Sequence, residues 1–184
     1  MWRGRRNQVE DSARHEAETP AAALVHHLQS GGALAPVRVS DLPLAAGEMA
    51  FADVSCETGR FYGTEVVYPR ARAGYYEDHP AFGRRWVSNP RLNGRRRQEA
   101  EAAAEPCWRD RAPARVVLTS TGLRLRPAYA PQTWLPFDHC LLTGVTVGDS
   151  EVVLSYSVCV PLLLAGPAAS WLGVAIEHLR HVAS

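Results

Sequence analysis

Six arginines fall within residues 81–97, AFGRRWVSNPRLNGRRR, with no acidic residue among them, so Arg84, Arg85, Arg91, Arg95, Arg96 and Arg97 give this stretch a formal charge of +6. A guanidinium is permanently charged and presents a planar fork of donors that matches phosphate and carboxylate oxygens. Trp86 stands among the arginines and Phe82 just ahead of them. An anionic membrane surface, a phosphate backbone or an acidic protein would therefore meet charge and an apolar anchor together. Arg84, Arg85, Trp86, Arg91, Arg95, Arg96 and Arg97 are the candidate residues for binding an anionic partner. The competing reading is a solvated helix face, because Arg95 and Arg97 stand four residues before Glu99 and Glu101, and such pairs contribute about 0.2–0.5 kcal/mol each. Arginine ahead of glutamate opposes the helix dipole, so helix stability alone does not account for the order of the charges.

Catalytic constellations are sparse. Asp138, His139 and Cys140 are consecutive, with Ser155 and Ser157 further on, and a Cys or Ser nucleophile beside a histidine base would make a small hydrolase. Consecutive residues of a strand point to opposite faces, which prevents the three from forming a triad on one face. A hydrolase using Cys140 and His139 is therefore the alternative to a non-enzymatic binding module, and nucleic-acid binding comes third, because dedicated nucleic-acid binders are usually basic overall. There is no GxSxG, a chain without lysine has no Walker lysine, and no glycine-rich phosphate loop follows a strand. His26 and His27 are neighbours and His178 and His181 are three apart, but neither pair has the carboxylate or cysteine company of a metal site. No metal, cofactor or enzymatic activity is expected.

The elements that would position these residues are mostly strands. EMAFADVSCE (Glu48–Glu57) and FYGTEVVY (Phe61–Tyr68) each read as a strand. RVVLT, the turn STG and LRLRP form a hairpin with Leu123 and Leu125 on one face and Arg124 and Arg126 on the other. TWLPF, CLLTGVTV, the turn GDSE, VVLSYSVCV and PLLLAG continue at the spacing of an all-β sheet. Ala168, Trp171, Leu172, Ala175, Ile176 and Leu179 then trace one stripe of a C-terminal helix, with Trp171 as a core anchor. Between Pro69 and Pro113 the strand pattern stops and helix formers run from about Arg91 to Glu105. Before residue 47 only Ala21–Gln29 predicts a helix, started by Thr19 and Pro20 and stopped by Gly31 and Gly32. The expected organisation is a mobile N-terminal extension over 1–46 and one domain over 47–184. That domain carries an Arg-rich, partly helical insertion at about 69–113.

This succession of strands closed by a Trp-bearing helix resembles the pleckstrin-homology superfold in its bacterial, GRAM-like forms. RVVLTSTGLRLR, TWLPFDHCLLTGV and VVLSY with PLLLAGPAASWLGVAIEHL are similar to small uncharacterised actinobacterial proteins of that kind. The resemblance implies a mainly β (α+β) fold: a PH-like, partly open antiparallel barrel or sandwich capped by one C-terminal amphipathic helix. It also implies binding of lipid head groups, membranes or protein segments rather than catalysis. In eukaryotic relatives basic residues around the first hairpin grip phosphoinositides; here Glu57–Glu65 offers Arg60 against two glutamates, so no such site carries over.

Composition bounds the rest. With 46% hydrophobic and 21% charged residues the chain has the make-up of a globular domain. Its net charge of +1, from 20 arginines and 19 acidic residues, makes any pull on an anion local. The absence of lysine fits a genome rich in G and C. Cys56, Cys107, Cys140 and Cys159 lack metal or redox spacing and predict buried free thiols. The basic N-terminus is not followed by the apolar run of a signal peptide, and the longest apolar stretch, Val158–Ala165, is far shorter than the roughly 20 residues that span a bilayer. A cytoplasmic location is expected.

Overall fold

The computed structural model describes residues 20–182. Residues 1–19, the first part of the expected extension, and residues 183–184 lie outside the described residues. The chain divides into two compact units, one made of the chain up to Phe61 together with Trp108 onward, the other of Tyr62–Cys107.

The first unit is a seven-stranded antiparallel sheet with a C-terminal helix. Its strands are β1 (Ala50–Tyr62), β4 (Cys107–Thr119), β5 (Gly122–Pro127), β6 (Leu135–Asp138), β7 (Leu142–Val147), β8 (Glu151–Tyr156) and β9 (Leu162–Ala165). They lie in the order β6-β5-β4-β1-β9-β8-β7. The β4–β5 hairpin pairs Val116 with Leu125 and Leu118 with Leu123, all four buried, as the alternation predicts. The first strand of the unit is thus central: β9 pairs against it with Thr58 opposite Leu164 and Arg60 opposite Leu162.

The sheet has two edges, β6 and β7, and does not close into a barrel. Those edges are nevertheless joined by a single 3-10 turn, His139–Leu141. Seven flat strands would hold them about 29 Å apart at the usual spacing of roughly 4.8 Å, whereas a 3-10 turn rises only about 2 Å per residue. The sheet must therefore curl until its edges approach. Packing shows the curl directly. Phe137 of β6 stacks 5.4 Å from Tyr156 of β8 and lies 4.6 Å from the guanidinium of Arg60 on β1, although none of these strands is a sheet neighbour of another.

Helix α3 (Ala169–Val182) packs on β7, β8 and the 3-10 turn, burying Leu172, Ala175 and Ile176 while Trp171, half-buried, packs against the same core. Gly173 permits the close approach, since a Cβ there would stand 2.7 Å from a Val147 methyl. The helix over residues 20–29 (α1) forms as expected. Residues 20–46, within the expected extension, make specific contacts with the core and the sheet. Leu24, 8% exposed, joins the core, Val37 bridges Ala50, and Asp41 receives Arg115 at 2.8 Å and Arg126 at 2.6 Å.

Three expectations are corrected. Phe61–Tyr68 is not a second strand: β1 runs through Tyr62, and residues 63–73 carry no regular structure. The insertion is shifted to 62–107, because β4 starts at Cys107, where its Pro113 is tolerated and the strand signal at Arg115 marks only its buried half. Of the four free thiols only Cys56 is buried, and burial pushes its pKa up to about 11; Cys107, Cys140 and Cys159 are exposed.

Candidate functional site

The second unit, Tyr62–Cys107, holds all the candidate arginines. It contains a hairpin of β2 (Gly74–His79) and β3 (Gly83–Ser88), then helix α2 (Pro90–Ala104). The hairpin was not expected. Its turn is built locally, with Pro80 presetting the backbone after His79, Phe82 N–H donating to the His79 carbonyl at 3.2 Å, and Gly83 supplying a φ of 67° that other residues resist. Arg84, Arg85 and Trp86 are therefore strand residues. On one face Trp86 meets Tyr76 edge-on at 5.0 Å and Arg84 lies 4.6 Å over the same tyrosine ring. On the other, Arg85 pairs with Glu77 at 3.1 Å. Gly74 is required beneath Trp86, since a Cβ there would stand 2.6 Å from the indole.

Helix α2 begins with Asn89, whose side chain accepts the Leu92 N–H at 3.0 Å, and with Pro90 in the first turn, both favourable at a helix start. No acidic residue occupies its first turn and no basic residue its last, the reverse of what the dipole favours. Arg95 does pair with Glu99 at 2.8 Å, as the i,i+4 spacing predicts. Arg97 instead lies over the Tyr68 ring at 5.4 Å, and the Tyr68 hydroxyl donates to Glu101 at 3.1 Å, an interaction that raises the tyrosine pKa.

Asn93 ties the preceding loop to this helix. Its side chain accepts the Ala73 N–H at 2.7 Å and donates to the Ala73 carbonyl at 3.0 Å and to Ser88 Oγ at 3.1 Å. The clasp sets residues 69–73 against the first turns of α2, so that Arg70 and Arg72, absent from the sequence-based set, join Arg96 and Arg97. Together with Tyr68 and Asn93 these four arginines line a cleft of about 520 Å³. Arg91 and Arg95 line a second cleft of about 670 Å³ that shares Pro90 and Gly94 with the first. Among the described residues no carboxylate is seen paired with Arg70, Arg72, Arg91 or Arg96, whereas Arg85 and Arg95 each hold a glutamate. The seven sequence candidates are thus divided between the hairpin and the two clefts.

No protein-family model and no curated protein matches the chain.

The hydrolase candidates are held apart from one another. His139 is 5% exposed inside the 3-10 turn, and its Nε2 donates to the Thr119 carbonyl at 3.2 Å. Burial lowers its pKa, so the ring is neutral near pH 7. Its Nδ1 is buried without a partner, while Cys140 is exposed and Asp138 is taken by Arg124 at 3.0 Å. His27 bonds the Ala33 carbonyl and His181 donates to the Glu177 carbonyl. Among the described residues no group of three or more His, Cys, Asp or Glu is placed to hold a metal ion, and no helix is long and apolar enough to cross a membrane.

Proposed function

We propose that this chain is a non-enzymatic binding module that meets an anionic lipid surface through the arginines of residues 62–107. The observation that carries this reading is the cleft in which Arg70, Arg72, Arg96 and Arg97 converge, three of them without a carboxylate partner among the described residues. Like charges gathered without counter-ions repel one another, and a phosphate-bearing head group relieves that repulsion. Lipid is favoured over an acidic protein by the hairpin, which carries Phe82 at its turn, 78% exposed, and keeps Tyr75, Tyr76 and Trp86 exposed beside Arg84. Aromatic rings flanked by cations suit the boundary between head groups and acyl chains. The reading also draws on the resemblance to PH-like, GRAM-like domains, whose members bind head groups, membranes or protein segments.

Vesicle flotation with and without phosphatidylserine tests the proposal. Binding should require the anionic lipid and weaken as salt is raised. An arginine near an anionic surface contributes about 1 kcal/mol, so replacing Arg70, Arg72, Arg96 and Arg97 with glutamine should weaken binding by at least about a hundredfold. Equal binding to neutral vesicles, or salt-dependent binding to polyglutamate or single-stranded DNA without vesicle binding, would overturn the lipid assignment.

A further inference from the structure

Arg60 lies on the core-facing side of β1. Ala52, Val54 and Cys56 point inward, while Asp53 and Glu57 point outward to Arg115 and Arg111, and the period of two puts Arg60 with the inward set. Besides stacking on Phe137, its Nη1 donates to the Val160 carbonyl at 3.4 Å and lies 3.9 Å from Cys159 Sγ. Among the described residues no carboxylate pairs with it. Facing the same space is Tyr156, 7% exposed, whose hydroxyl is buried without a hydrogen-bond partner. A cation half out of water and an orphaned hydroxyl are both costly unless an acceptor arrives.

These groups line a cleft of about 290 Å³ beside β6 and the 3-10 turn, with the end of β8 and the loop after it on its other side. Leu135, Phe137, Leu141 and Val158 form its apolar walls, and its one carboxylate, Asp138, is taken by Arg124. The cleft thus offers two donors beside an apolar lining. Its volume sits at the small end of the roughly 300–1,000 Å³ of small-molecule sites.

We infer that this cleft binds a small amphiphilic carboxylate, its head group held by Arg60 and the Tyr156 hydroxyl and its apolar body laid against Leu135, Leu141 and Val158. A monoanion matches the single unpaired cation, and the two oxygens of a carboxylate serve the two donors. The burial that raises the Tyr156 pKa keeps its hydroxyl a donor throughout the neutral range. No residue of 62–107 takes part, so this site stands or falls apart from the lipid surface proposed above.

The test uses the full chain with 2-naphthoate and its neutral isostere 2-naphthamide, followed by calorimetry and by iodoacetamide labelling of Cys159. Naphthoate should bind at one site and protect Cys159, and the amide should bind at least about tenfold more weakly, as expected when a charge-assisted hydrogen bond is lost. Arg60→Gln and Tyr156→Phe should each cost about tenfold or more, while the quadruple glutamine variant of the arginine cleft binds as wild type does. Should Arg60→Gln fail to fold, Tyr156→Phe decides, because it removes only an oxygen that bonds to nothing. Absence of binding at millimolar naphthoate, equal affinity for the amide, or full affinity in Tyr156→Phe would overturn the inference.

Discussion

The side chain of Glu48 is 4% exposed, yet its pKa is held below the ordinary carboxylate range. Burial by itself would raise its pKa, but hydroxyls of Thr119 and Thr121, the Ala45 N–H and the charge of Arg124 outweigh that and hold it at about 2, against an ordinary 4.5. A depressed carboxylate stabilises the fold above its unfolded-state pKa, and that contribution disappears as pH falls from about 4.5 towards 2. Urea titrations should therefore show wild type losing stability across that window. Glu48→Gln should be less stable at pH 7 by on the order of 2–3 kcal/mol and converge on wild type near pH 2. Asp41, held at about 2 by Arg115 and Arg126, acts in the same direction. Residue-scale legibility follows adjacency in the chain. The acid-free run of arginines is visible as written, whereas Arg70 and Arg72 are separated from it by Glu77 and Asp78 and become its neighbours only through Asn93. The alternation of β1 puts Arg60 on the inward face, but nothing local announces its partners, because Phe137 and Tyr156 lie far along the chain.

Elements were legible where one face is buried and the other is wet. The α3 stripe and the β4–β5 alternation follow from that contrast and stand in the structure as read. The β2–β3 hairpin has little buried surface on either face, so it carries no alternation to find. The apolar run after Phe61 misleads for a different reason. Thr64 N–H bonds the carbonyl of Ala104 at the end of α2, and Gly63 approaches that same oxygen, so the chain serves a helix end instead of a ladder and leaves Val67 exposed. The Asn93 clasp yields a prediction at this scale. Asn93→Ala keeps every arginine but releases Ala73. Vesicle affinity should fall several-fold and the Ala73 amide should exchange faster by hydrogen–deuterium measurement, while the melting of the sheet unit is unchanged.

For the whole molecule, the division into two units has a testable meaning. β1 and β4 carry mutual contacts near their open ends, such as Thr58 Oγ1 donating to the Ala112 carbonyl at 3.1 Å and Arg111 reaching Glu57, and Phe61 stacks edge-on against Trp108 at 5.2 Å. Replacing residues 63–107 with an Asn-Gly turn should therefore give a folded sheet, since such turns favour tight hairpins. Its cooperative thermal transition should persist, naphthoate binding should survive and vesicle binding should vanish. Loss of the transition would show that the second unit is needed for the first to fold.

The central place of β1 also governs how the chain is made. On one side it pairs with β9, whose residues leave the ribosome about a hundred positions later. Until Leu162–Ala165 emerge, β1 has an open ladder edge beside the exposed Cys56 thiol and half-built core, the state in which edge-to-edge association competes with folding. Native closure then waits on distant pairing, which is slow. A nascent chain stalled just before Pro161 should need chaperone protection that one stalled after α3 does not.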